Sequence, residues 1–186
     1  AKSIAMKSAQ ELEALHKLKL GIAYMGLESG DDVTLKAINK GATAKTMIAM
    51  GRKLRAAGIK LSVTVLLGIA GPERSLVHAR ETGRVLSAID PEYVGALSLM
   101  LIPGTALERD HRQGDFELIG PKTMLRELRE MIAATDLTRG LFHANHASNY
   151  LPIKARLPRD KTATLALIDE ALAGGVSLKP EYLRAL

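Results

Sequence analysis

The chain has 186 residues, with 26 Lys+Arg against 20 Asp+Glu for a formal charge of +6, 47% hydrophobic and 3% aromatic residues, and no cysteine. That apolar fraction suits one ordinary domain with a real core and excludes intrinsic disorder. The missing cysteine excludes a disulfide scaffold, and any cysteine-held zinc or iron-sulfur site built from this chain alone.

In chain order, residues 8–18 read as a helix, with Leu12, Leu15 and Leu18 at spacing three, ended by the basic turn before Gly21. Residues 22–27 read as a short strand closed by Glu28-Ser29-Gly30-Asp31-Asp32. Helices over 32–39 and 43–57 follow, and Gly58 stops the second. Residues 59–67 are rich in β-branched residues and Leu, which predicts a strand buried on both faces. A Gly/Pro turn over 68–73 leads into a helix over 75–89, and Asp90-Pro91 breaks it. A third strand covers 93–102. The first hundred residues therefore spell α-βα-βα-β at the spacing of parallel βα units. Beyond Pro103 come a polar stretch over 108–117, helices over 121–135 and 160–173, and a last turn over 180–186. The expected fold is α/β: a partial TIM-like (βα) barrel of about three parallel units with a C-terminal helical extension.

No apolar run reaches the roughly 18 to 20 residues of a membrane helix, so no membrane partner is expected and a cytoplasmic location is. Residues 1–90 hold 14 basic and 8 acidic residues, whereas residues 91–186 hold 12 of each. Neither a basic stripe nor interleaved aromatics is present, so nucleic acid is not the expected partner. No nucleophile elbow, phosphate-binding loop or dinucleotide fingerprint occurs, which leaves hydrolase and nucleotide-triphosphatase readings without support.

In parallel βα folds, ligands bind at the carboxyl ends of the strands. Here those ends are residues 26–30, 67–73 and 102–105, all rich in glycine. The series Tyr24-Met25-Gly26-Leu27-Glu28-Ser29-Gly30, then Leu35 to Gly41, then Ala57-Gly58-Ile59, then Pro103-Gly104-Thr105, resembles the second half of a radical S-adenosylmethionine (SAM) enzyme. Its order is similar to that in oxygen-independent coproporphyrinogen oxidase and the radical SAM methylthiotransferases. The likeness covers about residues 20–110.

The resemblance implies a six-unit partial barrel, with residues 1–110 as its C-terminal half and 111–186 as the extension. It also implies SAM as cofactor, cleaved reductively by an iron-sulfur cluster so that a substrate hydrogen is abstracted. The family's cluster-binding Cys-x-x-x-Cys-x-x-Cys is missing, so this chain departs from the pattern at its defining motif. It is either a fragment, as its opening without Met suggests, or a homologue without radical chemistry. On either count the chain alone is expected to be inactive.

Carried over by position, Glu28 would meet the SAM ribose or amino group, with Ser29 beside it. The residues alone offer a plainer reading, in which Glu28-Ser29 caps the next helix. Lys40 would meet the SAM carboxylate, or else simply end a helix before Gly41. Thr64 would reach the ribose, Leu66 would face the adenine or stay in the core, and Gly68 would let the backbone approach. Glu73 resembles the acidic end of that motif, at a spacing one residue longer. Met100 and Leu101 would offer main-chain contacts to adenine. No catalytic residue and no metal ligand is assigned.

His143 and His146 lie in the polar stretch 143–150, but no third metal ligand stands at useful spacing. A rival reading is a non-catalytic βα domain binding an anionic partner such as RNA through Lys53, Arg55 and Lys60. The substrate is not legible. An unpaired strand edge over 22–27 would favour self-association.

Overall fold

A computed structural model describes residues 2–185. Helix α1 (Lys2–Ala5) precedes α2 (Ala9–Lys17), whose N-cap Ser8 accepts from Glu11 N while the Glu11 carboxylate accepts from Ser8 N. That reciprocal cap fixes where the helix starts. Strand β1 (Ile22–Glu28) leads through α3 (Asp32–Ala37) and α4 (Ala44–Ala56) to β2 (Lys60–Leu67). Helix α5 (Gly71–Ile89) then returns the chain to β3 (Tyr93–Ser98). It begins four residues earlier than the sequence suggests, because Pro72 sits in its first turn, where a missing N–H costs nothing.

After β3 come α6 (Ala106–Gln113), α7 (Pro121–Ala133), β4 (Gly140–Ala144), β5 (Ile153–Leu157) and α8 (Lys161–Leu172), with one short 3-10 turn, Glu181–Leu183. The sheet order is β1-β2-β3-β4-β5, with β1 to β4 parallel and β5 antiparallel. The architecture is the expected α/β one, and the C-terminal extension adds two strands to its helices. Strand β3 is shorter than expected, ending at Ser98, and residues 99–103 leave the sheet without joining a helix or strand.

Side chains along each strand alternate between two environments. On one face Met25, Leu27, Val63, Val65, Val94 and Phe142 are buried, in one core with Met47, Leu54, Leu86, Met124 and Ile168 of the helices. On the other face Gly26, Thr64, Leu66, Gly95, Leu97 and His143 are only partly covered. The expectation that β2 is buried on both faces is therefore corrected: its pattern alternates, with Ser62, Thr64 and Leu66 half-exposed. Helices cover only one side of this sheet, so its run of apolar and β-branched residues reflects a single core face plus a semi-polar row.

Helices α5 and α7 pack at Gly83, where a Cβ would stand 2.7 Å from Ala134 Cβ and 2.9 Å from Met131 O. Neighbouring backbone cannot yield cheaply at that distance. Gly83→Ala is expected to lower stability by about 1–3 kcal/mol in urea unfolding. An unchanged midpoint would show that the two helices part freely.

Candidate functional site

Strand register lays the uncovered face out in rows. Gly26 pairs with Thr64, Thr64 with Gly95, and Gly95 with His143. One step towards the carboxyl ends, Leu66 pairs with Leu97; one step back, Tyr24 pairs with Ser62 and Ser62 with Tyr93. A Cβ on Gly95 would meet only Leu97 Cδ1, at 3.9 Å, so the middle of this face is open floor. Below it, Tyr24, Ser62, Tyr93, Gly95 and His143 line a shallow cavity of about 280 Å³.

At the end of β1 the ladder slips, because Gly26 pairs with Thr64 but Glu28 with Val65. Glu28 has φ +63°, and Ser29 N donates to Leu27 O at 2.8 Å, closing a tight turn on it. The turn folds the Glu28 carboxylate back over Gly26, where a Cβ would collide with Glu28 Oε1 and come within 3.2 Å of Lys40 Nζ. A side chain at Gly26 would therefore displace the ends of both Glu28 and Lys40. Lys40 Nζ donates to Glu28 Oε1 at 2.9 Å, and both side chains are about one-fifth exposed, at 21% and 22%. The two charged residues singled out in the sequence therefore form one ion pair at the rim of the uncovered face.

Thr64 and Leu66 stand half-buried on the same face, as a ligand-facing role requires. Met100 and Leu101 are also half-buried, just beyond β3. Their neighbour Leu99 is held on both sides, since its N–H donates to Leu67 O and its carbonyl accepts from Arg184 Nη2 at 3.0 Å. The buried Arg184 guanidinium stacks 4.2 Å from the Tyr150 ring centre and also donates to Ser148 O. Burial first, and then the Glu181 carboxylate that Tyr150 donates to, push the Tyr150 hydroxyl up to about 12.

Two residues are placed otherwise. Ser29 is fully buried and turned away from the open face, with Oγ 2.7 Å from His78 Nδ1 and accepting from Asp31 N. It does not touch the groove. Gly68 has φ +86°, and a Cβ there would reach Met124 Cε at 2.8 Å. Its glycine is demanded by backbone conformation and by α7, on the core side of the sheet. The cap of α3 is neither Glu28 nor Ser29 but Asp31, which accepts from Thr34 N. Glu73 lies exposed in the first turn of α5, which begins four residues after β2 ends.

The structure also brings together residues that the sequence reading passed over. Arg74 grips Asp31 with two hydrogen bonds of 2.8 and 2.9 Å, and Glu127, fully buried on α7, faces His78 Nε2 at 3.4 Å. Their signal was present as polar residues on apolar helix faces: Ser75, His78 and Thr82 on the buried side of α5, and Glu127 among Met124, Leu128 and Met131 of α7. Of the three cations proposed for an anionic partner, Arg55 pairs with Asp90 and Glu92, and Lys53 donates to Lys7 O. No group of three or more His, Asp or Glu that could hold a metal occurs among the described residues, nor does any helix long and apolar enough to cross a membrane.

No protein-family model matches the chain. The uncharacterized protein MJ0486 of Methanocaldococcus jannaschii is 26% identical over 161 residues, which is 80% of this chain and 45% of that protein. The solved structure of archaeal Elp3 from Methanocaldococcus infernus, with an N-terminal deletion (1–46), superposes with a TM-score of 0.60 at 16% identity. It covers 90% of this chain and 39% of the Elp3 chain. The chain thus spans less than half the length of either. The likeness shows the fold, a mostly parallel α/β sheet portion shared with part of the Elp3 chain, and singles out no family.

The Asp31–Arg74 pair carries a pH signature. Arg74's hydrogen bonds hold the Asp31 carboxyl well below the usual aspartate range, and Thr34 adds to the effect. A carboxyl depressed in the folded state contributes stability that is complete above the unfolded value near 4 and is lost as pH falls below it. Unfolding midpoints should therefore drop below about pH 4, and Asp31→Asn should flatten that limb in part. The remainder belongs to Asp169, Asp160, Glu11 and Glu181, whose carboxyls are also lowered by their hydrogen-bond partners. An unaltered limb in Asp31→Asn would refute the assignment.

Proposed function

We propose that this chain forms the SAM-binding side of a radical SAM enzyme whose iron-sulfur ligands lie outside these 186 residues. The observation that carries the reading is the Glu28–Lys40 pair, folded over Gly26 at the carboxyl end of the uncovered sheet face. The methionine end of SAM is a zwitterion. Its ammonium can exchange with Lys40 as partner of Glu28, and its carboxylate can take Lys40, so each half-buried charge keeps a counter-charge throughout. Beside the pair, Thr64 offers a hydroxyl, Leu66 an apolar surface and Gly95 an unfilled floor. Met100 and Leu101 offer main-chain groups on a segment that Arg184 and β2 hold in place through Leu99.

The residues present fit SAM and do not fit the cluster, since the chain has no cysteine. Bound together, SAM and a cluster would supply the power to abstract a hydrogen atom from a substrate. This chain's own residues would bind and orient the cofactor. The fold likeness to Elp3 supports the reading at the level of architecture. Against the rival anionic-partner reading, two of its three cations are already engaged within the chain.

Calorimetric titration of the chain with SAM tests the proposal. Lys40→Ala should weaken binding about ten- to a hundredfold, the size of a lost charge-assisted contact. Gly95→Val should fold normally, because its Cβ enters open space in a strand that favours valine, while weakening SAM at least as much. Binding unaffected by both substitutions, or no binding by the parent chain, would overturn the reading.

A further inference from the structure

Behind the Glu28–Lys40 pair runs a buried polar chain that the cofactor reading leaves unused. Ser29 Oγ accepts from Asp31 N and shares a 2.7 Å hydrogen bond with His78 Nδ1. On the far side of the ring, Nε2 makes no hydrogen bond and stands 3.4 Å from Glu127 Oε1. Glu127 also accepts from Gly68 N at 2.6 Å and from the Ser75 hydroxyl at 2.5 Å. Gly30 N donates to Thr82 Oγ1, one turn further along α5. Every side chain in this series is buried, and His78 and Glu127 are at 0% exposure.

The chain ends on the residue next to a strained one. A glutamate at φ +63° persists only where its surroundings over-determine it, and the covalent neighbour that this network grips is Ser29. We propose that His78 and Glu127 are positioning residues. They hold Ser29, and through it they hold Glu28 in the left-handed turn that lays its carboxylate over Gly26 beside Lys40. The same Glu127 carboxylate fixes the exit of β2 at Gly68, so one buried acid aligns the ends of both strands that flank the site. The consequence for SAM rests on the function proposed above; the conformational claim does not.

The two can be separated by experiment. Amide exchange at Ser29, Gly30 and Asp31 reads the turn, because each of those N–H groups bonds within it or to the network. His78→Gln keeps a polar atom towards Glu127 but removes the Nδ1 partner of Ser29, and should speed exchange at these three amides by about tenfold or more while β3 amides stay protected. His78→Asn, which leaves a polar atom where Nδ1 stood, should restore much of that protection. Ser29→Ala provides a second route should the histidine variants fold poorly, with the same local acceleration expected. Unchanged exchange at Ser29 and Gly30 in His78→Gln would overturn the proposal, and so would acceleration spread evenly over the sheet. Local acceleration with undiminished SAM affinity would uphold the positioning role and instead refute Glu28 as a cofactor contact.

Discussion

Helices cover one face of this sheet and leave the other open, and most of the molecule's behaviour follows from that asymmetry. In β2 the two-residue period sends Leu61, Val63, Val65 and Leu67 into the core and Ser62, Thr64 and Leu66 to the open side. The same division holds in β3, where Val94 and Ala96 are buried and Gly95 and Leu97 are not. A shift of one residue in any strand would exchange these sets, so burial of the core face fixes the register. That register in turn builds the row Gly26, Thr64, Gly95 and His143 across four strands.

Much of the fold was legible because helices announce themselves at their ends. The basic turn before Gly21 and Gly58 after α4 mark ends that the structure keeps within a residue or two. Strands β4 and β5 were not read. Gly140–Ala144 is five residues containing a glycine and a histidine, too short for periodicity to stand out, and it is stabilised by pairing with β3. Ile153–Leu157 does alternate apolar with basic, yet it forms a strand by pairing antiparallel with β4, a contact no local pattern contains. Long-range pairing decided both.

The candidate site was legible by residue type and only partly by role. Glu28 and Lys40 are twelve positions apart, and their pairing depends on a turn with positive φ at a glutamate, which propensity would place elsewhere. Ser29 was expected at the ligand only because the resemblance places it beside Glu28. Here the slip in the β1 ladder turns it inward, to His78. Gly68 looked like a place for close ligand approach, and the close approach is real, but it is made by Met124 from the core side.

Stability does not account for the buried polar residues behind that turn. An apolar side chain of similar volume in place of His78 or Glu127 would hold α5 and α7 against the sheet without the desolvation that a buried carboxylate and imidazole incur. Apolar packing, however, is indifferent to small rotations of what it covers, whereas a hydrogen bond to one hydroxyl or one backbone N–H is directional. Glu127 and His78 spend their bonds on Ser29, Ser75 and the amide of Gly68, which are points on the chain where strands end and loops begin. A directional hold is needed where the backbone would otherwise relax out of a strained turn. The polar chain reaches the sheet at such a turn, one residue from the carboxylate that meets Lys40.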